Sequence, residues 1–172
     1  MVPQVALLRA VNVGGTGALP MVELREMGVR CGLEDARTYI ASGNLLFASD
    51  QKEDEIRQRL ERALHDYAGK PVEVFVRTLD ELDAIIATNP FPDAVGSQHM
   101  VFFQEHAPAA DLIERCRDVA GERLALGKRE LHIDYGAGIR HSRLKLPKDT
   151  VRTARNINTV RKLAELLRTP RP

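Results

Sequence analysis

An apolar run, a glycine-rich turn and a proline organise the first part of this sequence. Val5–Leu8 is apolar throughout, and the glycine-rich turn lies between Asn12 and Pro20. A short apolar run is typical of a strand buried on both faces, and glycine permits backbone angles that other residues avoid. Proline suits the first position of a helix because it has no amide hydrogen to leave unpaired. Apolar residues then recur at helical spacing as far as Cys31. The stretch therefore predicts a buried strand, a polar turn and an amphipathic helix.

The next segments extend this unit to the order strand, helix, strand, strand, helix, strand. Residues 37–41 and 45–47 are rich in strand-forming side chains, and the Ser-Gly-Asn sequence between them indicates a three-residue hairpin. An amphipathic helix follows, and the alternation at residues 72–77 is typical of a half-exposed strand. This order is that of the ferredoxin-like fold. We therefore predict an α+β protein in which residues 1–77 form a ferredoxin-like subdomain.

Residues 78–172 predict a second α+β subdomain whose topology partly repeats the first. Thr78 with Glu81 is the signature of a capping box, which predicts a helix start at this point. Apolar residues at helical spacing after Pro108 predict a further helix. Strands are predicted at residues 99–104, 123–126 and 131–135. The repeated element order is not accompanied by a recognisable sequence repeat.

Charge is distributed unevenly along the chain. Residues 137–172 hold ten basic and two acidic side chains, whereas residues 1–136 hold fifteen basic and twenty-two acidic ones. A basic segment on an acidic body favours an anionic partner, or the docking of one half of the protein on the other. Both interpretations stay open at this point.

The composition is that of an ordinary globular protein, with 44% apolar and 28% charged residues. Cys31 and Cys116 are the two cysteines, and we expect both to be small buried hydrophobes rather than disulfide partners. No apolar run approaches the roughly 20 residues that a membrane span needs, and the N-terminus has no secretion signal. We expect a cytoplasmic protein without membrane contact, and the sequence leaves its oligomeric state open.

Three polar turns are candidates for one anionic-ligand site. A glycine turn between a strand and a helix presents backbone amides and a positive helix end to a phosphate. Arg161 and Lys162, predicted in the first turn of the last helix, oppose its dipole unless an anion binds there. Tyr39, beside Arg37, is placed where such a sheet stacks a base. The predicted ligand-binding residues are Arg9, Asn12, Gly14, Gly15, Tyr39, Ser42, Gly43, Asn44, Arg155, Asn156, Asn158 and Thr159.

Each of these features also has a structural interpretation. The glycine turn lacks the third glycine of a dinucleotide fingerprint and the lysine of a P-loop, and glycine turns often serve chain geometry alone. Asn158 or Thr159 is expected to cap the last helix, and Arg155 to pair with a carboxylate. Tyr39 alone is more typical of packing than of base stacking.

Searches for metal ligands and nucleophiles give no assignment. The five histidines are scattered, without the spacing that brings metal ligands together. His132 alternates with apolar neighbours on a strand, so we expect it to be exposed. The G-x-S-x-G nucleophile elbow is absent. We therefore predict no metal and no cofactor, and we name no catalytic residue.

Several of these segments together resemble a family of bacterial proteins, domain of unknown function 1697. The resemblance runs in the same order from Val5 to about Leu167, and it rests on LLRAVNVGG with ALPMVELR, ARTYIASGNLLF, VFVRTLDEL with NPF, and GAGIRHSRL with ARNINTVRKLAEL. It implies two α+β subdomains, the first ferredoxin-like, and it implies no established activity.

Three departures from the family pattern stand out. The family usually has glycine where this chain has Ala10 and tryptophan where it has Ile157, and the segment between Ser142 and Arg155 is shorter than usual. If the tryptophan stacks a ligand, Ile157 weakens that contact. If it packs in a core, Ile157 is a tolerable substitute.

The leading functional hypothesis is a protein that binds a phosphate-bearing or other anionic ligand, either a nucleotide or a nucleic acid. The first alternative is a small-molecule enzyme in which Arg9 and Arg155 clamp an anionic substrate and catalysis comes from positioning. The second alternative is a protein-interaction module in which the polar turns hold its two halves together.

Overall fold

The structure is a computed structural model, and it describes residues 1–13 and 18–169. Gly14 and Gly15, two of the predicted ligand-binding residues, lie outside the described residues. In chain order the described elements are β1 (Val2–Leu8), α1 (Met21–Arg30), β2 (Glu34–Thr38), β3 (Asn44–Ser49), α2 (Glu53–Ala68), β4 (Val74–Thr78), α3 (Leu79–Ala87), β5 (His99–Phe103), β6 (Arg123–Leu126), β7 (Glu130–Asp134), β8 (Thr153–Asn156) and α4 (Ile157–Arg168).

These strands form two four-stranded antiparallel sheets. The first has the strand order β2-β3-β1-β4, which is the ferredoxin-like order, and the second has the order β6-β7-β5-β8. Each strand of the second sheet takes the place of its counterpart in the first. The predicted α+β class, with a ferredoxin-like first half and a partial repeat in the second, is confirmed.

The chain divides into two compact units. Unit 1 consists of Met1–Asp83 with Lys162–Pro172, and unit 2 consists of Ala84–Arg161. The first sheet lies in unit 1 and the second in unit 2. The division after residue 77, drawn from the sequence alone, stays a prediction.

The core of unit 1 lies between one face of the first sheet and helices α1 and α2. Side chains alternate along a strand, so Ala6 and Leu8 of β1 share this face with Leu45 and Phe47 of β3. Full burial of a leucine side chain contributes about 1.5–3 kcal/mol to folding. The buried helical residues that cover this face are Leu24, Met27, Ile56, Leu60 and Leu64.

Unit 2 has a smaller apolar cluster, and the helix predicted after Pro108 is absent from it. Leu112, Leu131 and Ile133 are fully buried in this cluster, but residues 110–115 form turns instead of a helix. The backbone of Arg117 exchanges two hydrogen bonds with Lys145, so a helix in this segment could not continue through Arg117. Leu112, one of the apolar residues at helical spacing, is therefore buried as part of a turn.

The starts of α3 and α4 show one correct and one wrong cap prediction. At α3 the backbone N–H of Glu81 donates to Thr78 Oγ1 at 3.1 Å, so the predicted cap is confirmed. At α4 the Thr159 N–H donates to Asn156 Oδ1 at 2.8 Å. The predicted cap at Asn158 or Thr159 is wrong because β8 runs directly into the helix and places the cap at Asn156.

The prediction that His132 is exposed is also wrong. The side chains of β7 are buried on both faces of the sheet, and His132 is 3% exposed. On one face of the sheet, His132 pairs with Val101 of β5, and Val101 pairs in turn with Arg155 of β8. Within residues 1–13 and 18–169, no helix is both long and apolar enough to cross a membrane.

Candidate functional site

Asn12, which precedes the glycine-rich turn, is hydrogen-bonded to the residue that leads into the turn at residues 42–44 of unit 1. Its side-chain amide donates to the carbonyl oxygens of Ala41 at 2.8 Å and Leu19 at 2.9 Å, and its oxygen accepts from the Leu19 N–H at 2.7 Å. The Leu8 N–H donates to the Gly43 carbonyl at 2.9 Å. Asn12 therefore has a structural role in holding these segments together, and the prediction that the polar turns form one ligand site stays a prediction.

Gly43 and Asn44 shape the second turn. Gly43 has a φ of +91°, and a β-carbon there would lie 2.5 Å from Val11 Cγ2, so the position requires glycine. The buried amide of Asn44 donates to the Tyr39 carbonyl at 2.8 Å and to Ser42 Oγ at 3.1 Å. These side chains stabilise the turn, and their contact with a ligand stays a prediction.

Arg9 and Tyr39 lie at the edges of these turns. Arg9 Nη1 lies 3.6 Å from Glu73 Oε2, and both side chains are well exposed. An exposed ion pair of this kind contributes little, typically 0–1 kcal/mol. Tyr39 is half-buried, and its backbone N–H donates to Asn44. Neither observation tests a ligand role.

Arg155 is enclosed in unit 2. It is 6% exposed, and its Nη1 donates to Thr153 Oγ1 at 2.9 Å and to the Ala154 carbonyl at 2.8 Å. Burial lowers the pKa of its guanidinium to about 10. Asn156 is occupied as the helix cap, while Asn158 is exposed and Thr159 is half-buried.

Arg155 has a counterpart in unit 1, and sequence analysis missed the equivalence. Arg77 of β4 is fully buried, and its Nη1 donates to the carbonyl of the preceding residue at 3.0 Å, as Arg155 does at 2.8 Å. Each arginine is followed by the residue that caps the next helix. The signal was a four-residue repeat, Val-Arg-Thr-Leu at 76–79 and Ala-Arg-Asn-Ile at 154–157. The shared geometry indicates a structural role for both arginines.

A groove of about 660 Å³ in unit 2 brings together basic side chains that are distant in sequence. One wall is residues 114–117 and the other is residues 145–148. The backbones of Arg117 and Lys145 join the walls by two hydrogen bonds of 3.0 Å. We call it the cationic groove, because its basic lining residues are Arg115, Arg117, Lys145 and Lys148, against one carboxylate, Glu114.

The positive charge of the cationic groove is only partly neutralised. Arg115 pairs with Asp149 at 2.7 Å and with Asp111 at 3.3 Å, and Lys145 Nζ lies 3.9 Å from Asp118. In the part of the chain that the structure describes, Arg117 and Lys148 make no ion pair. Like charges directly opposite in an antiparallel pair are destabilising, and Arg117 faces Lys145 in this way. Arg117 and Lys148 therefore offer two positive charges without an ion-pair partner among the described residues, and an anion would neutralise them.

A second cavity of about 750 Å³ adjoins the cationic groove, and Lys145 lines both. We call it the adjoining cavity. Its lining includes the half-buried Tyr135 and the carboxylate of Glu122, which accepts from the Ala120 N–H at 2.6 Å and from Ser142 Oγ at 2.8 Å. These hydrogen bonds lower the pKa of Glu122, so it is ionised at neutral pH.

A buried histidine pair is the remaining polar cluster of unit 2. His99 Nε2 and His132 Nδ1 are 2.9 Å apart, and His99 Nδ1 has no hydrogen-bond partner among the described residues. Burial lowers the pKa of His99, and it lowers that of His132 to about 4. Nearby, Arg123 binds Asp134 at 2.6 Å and lies 4.7 Å from the Phe91 ring. Both histidines are therefore neutral at pH 7.

Across 1–13 and 18–169, no group of three or more His, Cys, Asp or Glu side chains is arranged to hold a metal ion. The histidine pair supplies two nitrogens without a third ligand. Cys31 and Cys116 are free and half-buried, and burial raises the pKa of both thiols.

Comparison with known proteins agrees with the fold. The sequence matches the family described as "Protein of unknown function (DUF1697)" over residues 1–132, and the chain belongs to this family. The resemblance inferred from the sequence motifs is thereby confirmed. No curated protein matches the sequence.

A solved structure of a conserved bacterial protein from Streptococcus pneumoniae has a similar fold. The two chains are 23% identical, with a TM-score of 0.80, and the similarity covers 96% of this chain and 98% of that one. At this identity the similarity supports the architecture and not a shared ligand.

Proposed function

We propose that this protein binds an anionic, phosphate-bearing ligand, and that the cationic groove is its principal contact surface. The observation that carries the proposal is the pairing of Arg117 with Lys145, which holds two like charges opposite each other beside Lys148. Phosphate oxygens accept charge-assisted hydrogen bonds from arginine and lysine, and these bonds are roughly twice as strong as neutral ones. An anion across the pair would turn an electrostatic cost into a favourable interaction.

Calorimetric titration with pyrophosphate tests the proposal most simply. We expect binding to the wild-type protein that weakens as salt is raised, because screening reduces the attraction between exposed charges. Arg117→Ala should lower the affinity about tenfold or more, since a hydrogen bond to a charged group contributes roughly 1.5–3 kcal/mol.

Lys128→Ala is the matched control. Lys128 is an exposed basic residue of the same unit, in the turn between β6 and β7, and it does not line the cationic groove. Its removal changes the net charge by the same amount and should leave the affinity within about twofold of wild type, because distant exposed charges are screened. Equal loss in both variants, or no binding at low salt, would refute the proposal.

The residues predicted from the polar turns stay a second, untested part of this proposal. Arg9, Asn12, Ser42 and Asn44 would contribute only if the ligand also reached unit 1. The enzyme alternative required Arg155 as a clamp, and its burial leaves little surface for a substrate. We also propose that the protein acts in the cytoplasm, which its two free cysteines favour.

A further inference from the structure

We infer that the ligand is a nucleotide, with its phosphates in the cationic groove and its nucleoside in the adjoining cavity. This inference rests on the proposed function and names the ligand class of the same site. The inference is based on the chemical difference between the cationic groove and the adjoining cavity, which are both lined by Lys145.

The phosphates belong on the side of Arg117 and Lys148. That side has two basic residues without an ion-pair partner in the described part of the chain and one lining carboxylate, Glu114. The adjoining cavity holds two carboxylates, Asp118 and the ionised Glu122, beside Arg143 and Lys145. The second carboxylate makes the cavity the less favourable place for a phosphate, so we place the charged end of the ligand in the cationic groove. Lys145, at the junction, is placed to contact the phosphate nearest the sugar.

The adjoining cavity suits an uncharged, hydrogen-bonding group with a flat ring. Glu122 accepts two hydrogen bonds from the protein, and a carboxylate has about four acceptor positions, so it retains capacity for an amino or hydroxyl donor. Such donors occur on nucleobases and on ribose. The cavity volume of about 750 Å³ falls within the range of roughly 300–1,000 Å³ that is usual for small-molecule sites.

Tyr135 supplies the aromatic wall. Its ring packs against the apolar cluster of unit 2, and its backbone N–H donates to the Gln98 carbonyl at 2.9 Å, so it is held in place. Stacking of a base on an aromatic side chain contributes about 1–3 kcal/mol. Val119, 46% exposed, adds apolar surface to the same cavity.

The test compares pyrophosphate with the four ribonucleoside diphosphates and their nucleosides by calorimetry at one low salt concentration. We expect at least one diphosphate to bind tenfold or more tightly than pyrophosphate, and its nucleoside to bind weakly. Tyr135→Leu should lower the affinity for that diphosphate to the level of pyrophosphate, and the affinity for pyrophosphate itself should stay unchanged.

Gly138→Leu is the second variant, in case Tyr135→Leu disturbs the fold. Gly138 lines the adjoining cavity, and a β-carbon there meets its nearest neighbour, the Tyr135 carbonyl, at an ordinary 3.6 Å. The leucine side chain should obstruct part of the cavity, so nucleotide binding should fall while pyrophosphate binding persists.

The outcomes separate the two proposals. Pyrophosphate binding as tight as that of every diphosphate would overturn the nucleotide inference and retain the proposed function. Binding by none of these compounds would overturn both. A single-stranded oligoribonucleotide that binds more tightly than any diphosphate would overturn the assignment to a mononucleotide.

Discussion

Ala10 has a left-handed backbone conformation, with a φ of 55°. An L-residue with a β-carbon is strained there by roughly 1–2 kcal/mol, and glycine is not. The glycine that the family usually has at this position thus has a physical reason. Similarly, Ile157 is 1% exposed, so the position of the usual tryptophan is a core position in this chain.

Replacing Ala10 with glycine should therefore stabilise the protein. We expect Ala10→Gly to raise the free energy of unfolding by about 1 kcal/mol, after the larger entropy of glycine in the unfolded chain is subtracted. Urea denaturation measures the change. Ala137→Gly, at an exposed position outside the left-handed region, should be neutral or slightly destabilising. A loss of stability in Ala10→Gly would contradict this explanation.

The buried histidine pair makes stability depend on pH. The pKa of His132 is lowered from 6.5 to about 4 in the folded protein, chiefly by burial, and that of His99 is lowered as well. Between pH 6.5 and about pH 4, His132 is protonated in the unfolded chain and neutral in the folded protein. The unfolded chain therefore binds more protons, and the free energy of unfolding falls as the pH falls. The His132 shift alone corresponds to a loss of roughly 3 kcal/mol by pH 4 relative to neutral pH.

Unfolding in urea, repeated from pH 7 to pH 4, measures this dependence. His132→Gln should flatten the slope, whatever its effect on stability at pH 7. His106→Gln is the matched control, because it removes a histidine whose side chain is 86% exposed. A slope that persists in His132→Gln at its wild-type value would show that other groups carry the dependence.

At the scale of elements, the junction of β8 and α4 provides a direct comparison of two asparagines. Asn156 caps the helix through its bond to the Thr159 N–H, whereas Asn158 is exposed. We expect Asn156→Ala to lower the free energy of unfolding by about 1 kcal/mol. Asn158→Ala should change it by less than about 0.5 kcal/mol, as is usual for surface substitutions. If urea denaturation showed a larger loss of stability for Asn158→Ala than for Asn156→Ala, the result would contradict the cap at Asn156.

Which elements the sequence predicts depends on how local their signals are. The helix α2 and the capping box at Thr78 follow from periodicity and from residues three apart, and both predictions are confirmed. The segment after Pro108 has helical spacing too, but it forms turns, and the pairing of Arg117 with Lys145 excludes a helix beyond them. That pairing joins residues far apart in the chain, and no local pattern indicates it.

At the scale of the whole molecule, local sequence patterns do not predict the cationic groove either, because its two walls are far apart in the chain. The charge excess of residues 137–172 is visible in the sequence, and one wall of the groove, residues 145–148, lies within it. The other wall, residues 114–117, falls in the segment after Pro108 whose spacing predicts a helix. The four lining basic residues become neighbours only when both walls fold together. The turns at Asn12 and Asn44 are conspicuous because their polar residues lie close together in the sequence. In the structure, the side-chain amides of these two residues stabilise the turns.

An anion therefore has two candidate binding places in this protein, and one measurement separates them. The chain of 172 residues is small enough for amide-resolved NMR, so a titration with pyrophosphate reports binding residue by residue. The account predicts that the largest shifts occur at the backbone amides of Arg117, Lys145 and Lys148. Shifts centred on Asn12 and Ser42 instead, or no shifts at low salt, would contradict the assignment of the cationic groove.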